Sequence, residues 1–298
     1  MCRISFLTLI VSVSIITMQI QKLINDQIPE QLQIIHSAPK QLFLLGEPIK
    51  PDEKCITIVG ARKSTNYGRE VTEMLASDLT RAGAVIVSGL ALGIDSIAHK
   101  ACLDAGGRTI AVMPCGLDEI YPATHRNLAK EILARGGTLL SEYDVSTPAL
   151  KQHFIARNRL VSGLSKAIIV IEAAQRSGTL ITAGFALDQN RDVFALPGNI
   201  TSPNSVGTNT LIESGAQIIT SSERLIEQLG LTSAPKRSLS GESDQENTIL
   251  ALLEEGVRDG YELQIKSQID VTEFNQTITM MEITGKIRAH GANQWTIS

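Results

Sequence analysis

Between residues 55 and 220 the chain alternates short, β-branched apolar runs with longer amphipathic stretches, and no other feature constrains its fold as much. The runs at 55–59, 84–87, 109–113, 138–140, 167–171, 193–196 and 217–219 are nearly continuous in their apolar character. Strands covered on both faces have this character, whereas a half-solvated strand alternates. Helices fit between them at 68–81, where Val71, Leu75 and Leu79 recur every four residues, and at 94–103, 126–134 and 180–189. The predicted fold class is α/β, a Rossmann-like domain with an extended, mostly parallel sheet. With 298 residues, 43% hydrophobic and 19% charged, the chain can fill such a core, and a disordered or low-complexity class is excluded.

After residue 229 the composition changes. Residues 231–244 are rich in Ser, Pro, Gly and charge and lack an apolar period, which predicts a linker. Beyond it, helices are predicted at 246–253, 263–269 and 272–284, the last with Phe274, Ile278 and Met281 on one face and Gly285 at its end. Segments 287–290 and 294–297 then pair as a hairpin, making a winged-helix module. The predicted division is 1–50, 51–230, 231–244 and 245–298. The first segment is expected to be the remnant of a helical domain, because residues 4–20 are apolar but interrupted by Ser5, Thr8, Ser12, Ser14 and Thr17. No small-x-small cleavage site follows, so a cytoplasmic location is expected over export or a membrane anchor.

The cysteines (Cys2, Cys55, Cys102, Cys115) and the histidines (His36, His99, His125, His153, His290) form no pattern with metal-ligand spacing. Neither a metal nor a cofactor is expected. Ser88 with Asp95 and His99, and Glu142 near His153, are the candidates for hydrolytic chemistry, but no G-x-S-x-G elbow is present. Capping and loop bracing explain Ser88 and Asp95 equally well.

The distinctive loops all follow strands: Gly60-Ala61-Arg62-Lys63, the stretch from Ser88 and Gly89 through Gly93 to Asp95, Pro114-Cys115-Gly116, Ser141-Glu142, and Pro197-Gly198-Asn199. In an open parallel sheet that edge forms the ligand crevice, and helix N-termini there present free N–H groups to anions. G-x-G-x-x-G is absent, which disfavours an ordinary dinucleotide enzyme. Gly89 and Gly93 read as a phosphate cradle or as a turn and a close helix contact. Ser177 reads as an N-cap, with the amides of Gly178 and Thr179 either facing an anion or simply capped.

Residues 151–166, KQHFIARNRLVSGLSK, carry Lys151, Arg157, Arg159 and Lys166 and no acid, a local charge of +4 in a chain of net charge -4. Phe154 lies among these cations beside His153. Bases stack on such a ring while cations follow the backbone, the arrangement a single-strand groove requires. The competing reading makes Phe154 core and the cations a solvated helix face. By contrast, residues 238–298 carry four basic and ten acidic residues, and the third helix there exposes Glu273, Asn275, Gln276 and Thr277 with no Lys or Arg. That is a poor surface for duplex phosphates and reads as a protein contact.

Several motifs together resemble those of the DNA processing protein A family, also called DprA or Smf. They are GARKSTNYG at 60–68, SGLALGIDSIAHKACL at 88–103, GGRTIAVMPCGLDEIYP at 106–122, LLSEY at 139–143, HFIARNRLVSGLS at 153–165, SGTLITAGFAL at 177–187 and LPGNITSPNSVGTNTLIESGA at 196–216. The resemblance covers about residues 28–298. It implies a homodimeric Rossmann-like domain that binds single-stranded DNA and helps load RecA onto incoming strands otherwise covered by single-strand-binding protein, with no catalytic step. It assigns strand contacts to Arg62, Lys151 and Phe154, and with them to the post-strand glycines, Arg157, Asn158 and Arg159. Arg191 is the nearest candidate for a late basic contact.

The chain departs from that family at Ile155, where Pro is common, and at its start, where residues 1–27 are apolar and only 28–46 resemble the family's lead-in. The alternative is a Rossmann-like nucleotide-binding or nucleotide-hydrolysing enzyme related in fold to the cytokinin-activating phosphoribohydrolases. The P-G-G-x-G-T signature of those enzymes is missing here.

Overall fold

The computed structural model describes residues 19–232 and 241–297. Two units are distinguished, Met1–Ala234 and Pro235–Ser298. In the first, every β-branched run becomes a strand. In chain order its elements are β1 (Gln21–Ile24), α1 (Glu30–Gln33), β2 (Gln41–Gly46), β3 (Lys54–Val59), α2 (Asn66–Arg81), β4 (Ala84–Ser88), α3 (Ile94–Asp104), β5 (Thr109–Met113) and α4 (Arg126–Ala134). There follow β6 (Thr138–Ser141), α5 (Lys151–Gly163), β7 (Ala167–Val170), α6 (Gly178–Asp188), β8 (Asp192–Ala195), α7 (Val206–Glu213), β9 (Gln217–Ile218) and α8 (Ser222–Gln228).

The strands form one sheet in the order β1-β2-β6-β5-β4-β3-β7-β8-β9. All neighbours from β6 to β9 are parallel, while β1 and β2 add antiparallel at one edge. Because successive side chains face opposite ways, Cys55, Val59, Val87, Val112, Ile168 and Val170 pack with Leu160, Val161 and Leu164 of α5 and Ala183 and Ala186 of α6. Ile56, Ile58, Ile86, Ile169 and Phe194 pack on the other face with Leu75 and Leu79 of α2, Ala98 and Cys102 of α3, and Leu225 and Ile226 of α8. Each such fully buried aliphatic side chain contributes about 1.5–3 kcal/mol, so the two layers of helices stabilise the sheet from both sides.

From β3 the chain steps outward through β4, β5 and β6, then α5 carries it back to β7 on the other side of β3. The loops after β3 and β7 therefore leave toward opposite faces, the topology that opens a crevice at the carboxyl ends of the strands.

The expected boundary at residue 50 is not where the fold changes. Residues 21–46 belong to the sheet: Phe43 pairs with Ser141 and Leu44 with Leu140, and Leu42 and Leu44 are buried in the core. An apolar strand covers the free edge of β6, which would otherwise leave its backbone groups open. Residues 1–18 lie outside the described residues, and with them most of the apolar stretch at 4–20. Among the described residues no helix is long and apolar enough to cross a membrane. Most of the expected linker, at 233–240, also lies outside them.

The second unit contains α9 (Asp244–Glu254), α10 (Gly260–Ser267), α11 (Val271–Ile283), β10 (Ile287–Gly291) and β11 (Gln294–Ile297), the element order of a winged helix. The side chains of Ser243, Asp259 and Asp270 cap the three helices in turn, accepting from the amides of Glu246, Tyr261 and Thr272. Phe274, Ile278 and Met281 are buried together with Ile249, Leu253 and Leu263.

Candidate functional site

Helix α5 begins at Lys151, and its first turns place the exposed Lys151 and Ile155 and the half-buried Phe154 on one stripe, three and four residues apart. Phe154 is the centre of a cluster drawn from several loops. Tyr121, between β5 and α4, meets its ring edge-on, with centroids 5.2 Å apart and planes at 71°. Arg62, between β3 and α2, lies over the ring with its guanidinium carbon 5.4 Å from the centroid. Beside them His153 stacks on Tyr143 at 4.0 Å and hydrogen-bonds the Pro148 carbonyl through Nδ1 at 3.1 Å. Arg62 and Lys63 on their loop and Lys151 on α5 are exposed, and Lys151 has no ion-pair partner among the described residues.

The loop that carries Arg62 is fixed by close backbone approach. Gly93 has φ +79°, and a Cβ there would collide with the carbonyls of Ala61 and Arg62. The Ile94 amide, at the start of α3, donates to the Ala61 carbonyl at 3.2 Å. Gly60 passes against Ile94, and its carbonyl accepts from Thr179 Oγ1 at 3.1 Å. The glycines that read as a phosphate cradle are thus close-packing positions.

Other residues predicted as contacts are structural braces. Arg157 is buried on the inner face of α5, with Nη1 donating to the Gly89 carbonyl at 2.6 Å and to the Val112 carbonyl. Gly89 has no Cβ because the guanidinium lies against it, and Asp95 accepts from the Gly89 amide at 3.0 Å. Burial pulls the Arg157 pKa down to about 10, against the opposing field of Asp95. Burial pushes the Asp95 carboxyl up, with Arg157 opposing. Ser88 is also fully buried, beside Asp95, and donates to the Ile58 carbonyl at 2.6 Å. All three side chains are buried.

Arg159 grips both oxygens of Glu142, at 2.6 Å for Oε1, with its side chain only 12% exposed. Asn158 reaches the Gly178 carbonyl at 3.4 Å. Gly178 is open, but the Thr179 amide is taken by its cap, Ser177 Oγ, at 3.1 Å. Arg191 lies at the opposite edge of the sheet, ahead of β8, where it donates to the Gly163 carbonyl at the C-terminus of α5 at 3.1 Å. A cation suits a helix C-terminus, and the length of α5 separates Arg191 from Lys151.

The hydrolytic candidates do not assemble. His99 is buried and pairs through Nδ1 with Thr109 Oγ1 at 2.7 Å, while Thr109 gives its own proton to the Ile86 carbonyl at 2.6 Å. Nδ1 therefore carries the proton. Burial depresses the His99 pKa to about 3. Glu142 serves Arg159 and His153 serves Pro148, so neither faces the other as an acid–base pair. Among the described residues no group of three or more His, Cys, Asp or Glu could hold a metal ion. Tyr121 and Tyr143 were not singled out by sequence reasoning, although each directly follows a strand-end motif, GLDEI and LLSE.

Fold and site together define a Rossmann-like α/β protein whose strand-end crevice is ringed by exposed cations around an accessible aromatic cluster. The chain belongs to the DNA recombination-mediator protein A family, whose model matches residues 19–230. It is 42% identical over 223 residues to Protein Smf of Escherichia coli, covering 73% of this chain and 60% of that protein. It is 43% identical over 206 residues to DNA processing protein DprA of Bacillus subtilis, covering 69% of each. The DprA structure from Streptococcus pneumoniae superposes with a TM-score of 0.65 at 38% identity, covering 70% of this chain and 74% of that one. A Helicobacter pylori structure described for the single-stranded DNA binding mode of DprA gives a TM-score of 0.65 at 38% identity, over 71% of this chain and 95% of that one.

Proposed function

We propose that this chain binds single-stranded DNA at the mouth formed by Arg62, Lys63, Tyr121, Lys151 and Phe154. The observation that carries this reading is the Arg62–Phe154–Tyr121 cluster beside the unpaired, exposed Lys151. A ring held between cations stacks a base while the charges neutralise adjacent phosphates, and both terms are independent of sequence. Stacking contributes about 1–3 kcal/mol per base, enough for one aromatic to dominate the contact. The role is that of a binding protein without a chemical step: a homodimeric, cytoplasmic mediator that hands incoming strands to RecA in natural transformation, in place of single-strand-binding protein. The single-stranded DNA binding mode of the Helicobacter pylori relative supports the strand as ligand.

Residues 19–230 are read as the strand-binding domain and residues 241–297 as a winged helix that contacts protein. Helix α11 exposes Thr272, Glu273, Asn275 and Gln276 and carries no cation that could follow a duplex backbone.

Titration of a fluorescent oligo-dT at two salt concentrations, with duplex and free nucleotides as competitors, tests the reading. Salt-sensitive binding that neither competitor displaces is expected, and a RecA-loading assay on strand covered by single-strand-binding protein then tests the mediator role. Absence of strand binding, or its displacement by a mononucleotide, would return the crevice to the nucleotide-binding alternative.

A further inference from the structure

We propose that Glu172 is a positioning residue that holds the Arg62–Lys63 loop in its strand-binding shape; this rests on the strand-binding reading above. The residue lies two positions beyond β7, and the Ile171 amide donates to the Val59 carbonyl at 3.0 Å, so Glu172 emerges beside the loop that leaves β3. It is only 3% exposed and has no ion-pair partner among the described residues. A buried carboxylate of this kind requires donors on its oxygens. Here the Thr65 amide donates at 3.0 Å, the Thr65 hydroxyl donates to the second oxygen, and Asn204 Nδ2 completes the set at 3.4 Å.

Each of these donors is also tied to the loop or to the helix after it. Thr65 Oγ1 accepts from the Gly68 amide at 3.0 Å and so caps α2, where a negative charge complements the helix dipole. Asn204 Nδ2 donates to the Lys63 carbonyl at 2.9 Å, and its own carbonyl accepts from the Ala173 amide at 2.8 Å. Gly68 leaves room for the carboxylate, which a Cβ at that position would strike. The loop is therefore pinned at Ala61 by Ile94, at Lys63 by Asn204 and at Thr65 by Glu172. Arg62 and Lys63 are the exposed side chains between the outer pins. Glu172 joins the loops after β3, β7 and β8 on both sides of the topological switch point, without reaching the surface itself.

The assignment is tested by the salt dependence of oligo-dT binding, which reports phosphate contacts and is unaffected by a change in the fraction of folded protein. Glu172→Ala should weaken binding about tenfold at low salt and lower the slope by about 0.7 for each phosphate contact released by Arg62 and Lys63. In a background of Arg62→Ala with Lys63→Ala, the same change at Glu172 should have no further effect, because the groups it positions are gone. An unchanged slope in folded Glu172→Ala, or an equal loss in both backgrounds, overturns the assignment. Glu172→Gln, which keeps the volume and removes one acceptor, is judged by the same two criteria should the alanine variant not fold. Wild-type protein that binds no oligo-dT would instead remove the strand-binding reading itself, so the two failures are distinguishable.

Discussion

The outer and inner stripes of α5 carry the same kind of charge to opposite ends. Lys151, exposed, and Phe154, half-buried, lie on the outer stripe, whereas Arg157 lies on the buried stripe that continues through Leu160, Val161 and Leu164. Lys151 keeps its ammonium in water and can meet a phosphate. Arg157 has lost its water and is held by two carbonyls and the field of Asp95. A positive side chain near a crevice is thus no evidence of a ligand contact until its face of the helix is known. The inner cation shapes the crevice by fixing the Gly89 turn, and the outer one is free to act in it.

The contrast predicts separable effects. The largest belongs to the inner stripe: Arg157→Ala should cost about 3–5 kcal/mol in urea unfolding, because it leaves a cavity and removes the buried donor to the Gly89 and Val112 carbonyls. Near-wild-type stability with lost strand binding would collapse the distinction. On the outer stripe, Phe154→Ala should lose about 1–3 kcal/mol of oligo-dT affinity with little change in the unfolding midpoint. Fluorescence anisotropy and thermal melts read the two quantities in parallel.

The inner wall also has a pH signature. His99 is held neutral with a folded pKa of about 3 against a reference of 6.5, so the unfolded chain binds the extra proton in this window. This contribution to stability falls as pH drops below 6.5, by about 1.4 kcal/mol per unit, and levels off near the folded pKa. Urea unfolding at stepped pH should show that slope reduced by the same amount in His99→Asn, whose amide can still donate to Thr109. The smallest effect sharpens the outer stripe: Lys151→Ala should lower the salt slope by about 0.7, one phosphate contact, and leave stability unchanged.

The parallel strands were legible because residues such as Ile56, Ile86, Val112 and Ile168 sit in runs that only a doubly covered sheet accommodates. The place of β2 in the sheet was not, since its partner β6 is remote in sequence. The helical period of α5 was hidden by Arg157, a charge at a core position. Of the candidate site, Lys151 and Phe154 stood out by charge and aromatic content in a segment without acids, whereas Arg62 entered through the family resemblance. Tyr121 and Tyr143 come from loops and reach the cluster only through tertiary folding. The bracing roles of Ser88, Arg159 and Arg191 depend on partners from other elements, which periodicity within one segment does not reveal.

The edge pairing of β2 with β6 bears on the order in which the chain can fold as it is synthesised. β3 finds β4 across a single helix, but Phe43 waits for Ser141, roughly a hundred residues later, and until then β2 can pair only with β1. A nascent chain halted before β6 would hold the β1–β2 pair with the other edge of β2 open to wrong partners. This side of the sheet therefore closes through an early strand while β7, β8 and β9 are still to be added on the other.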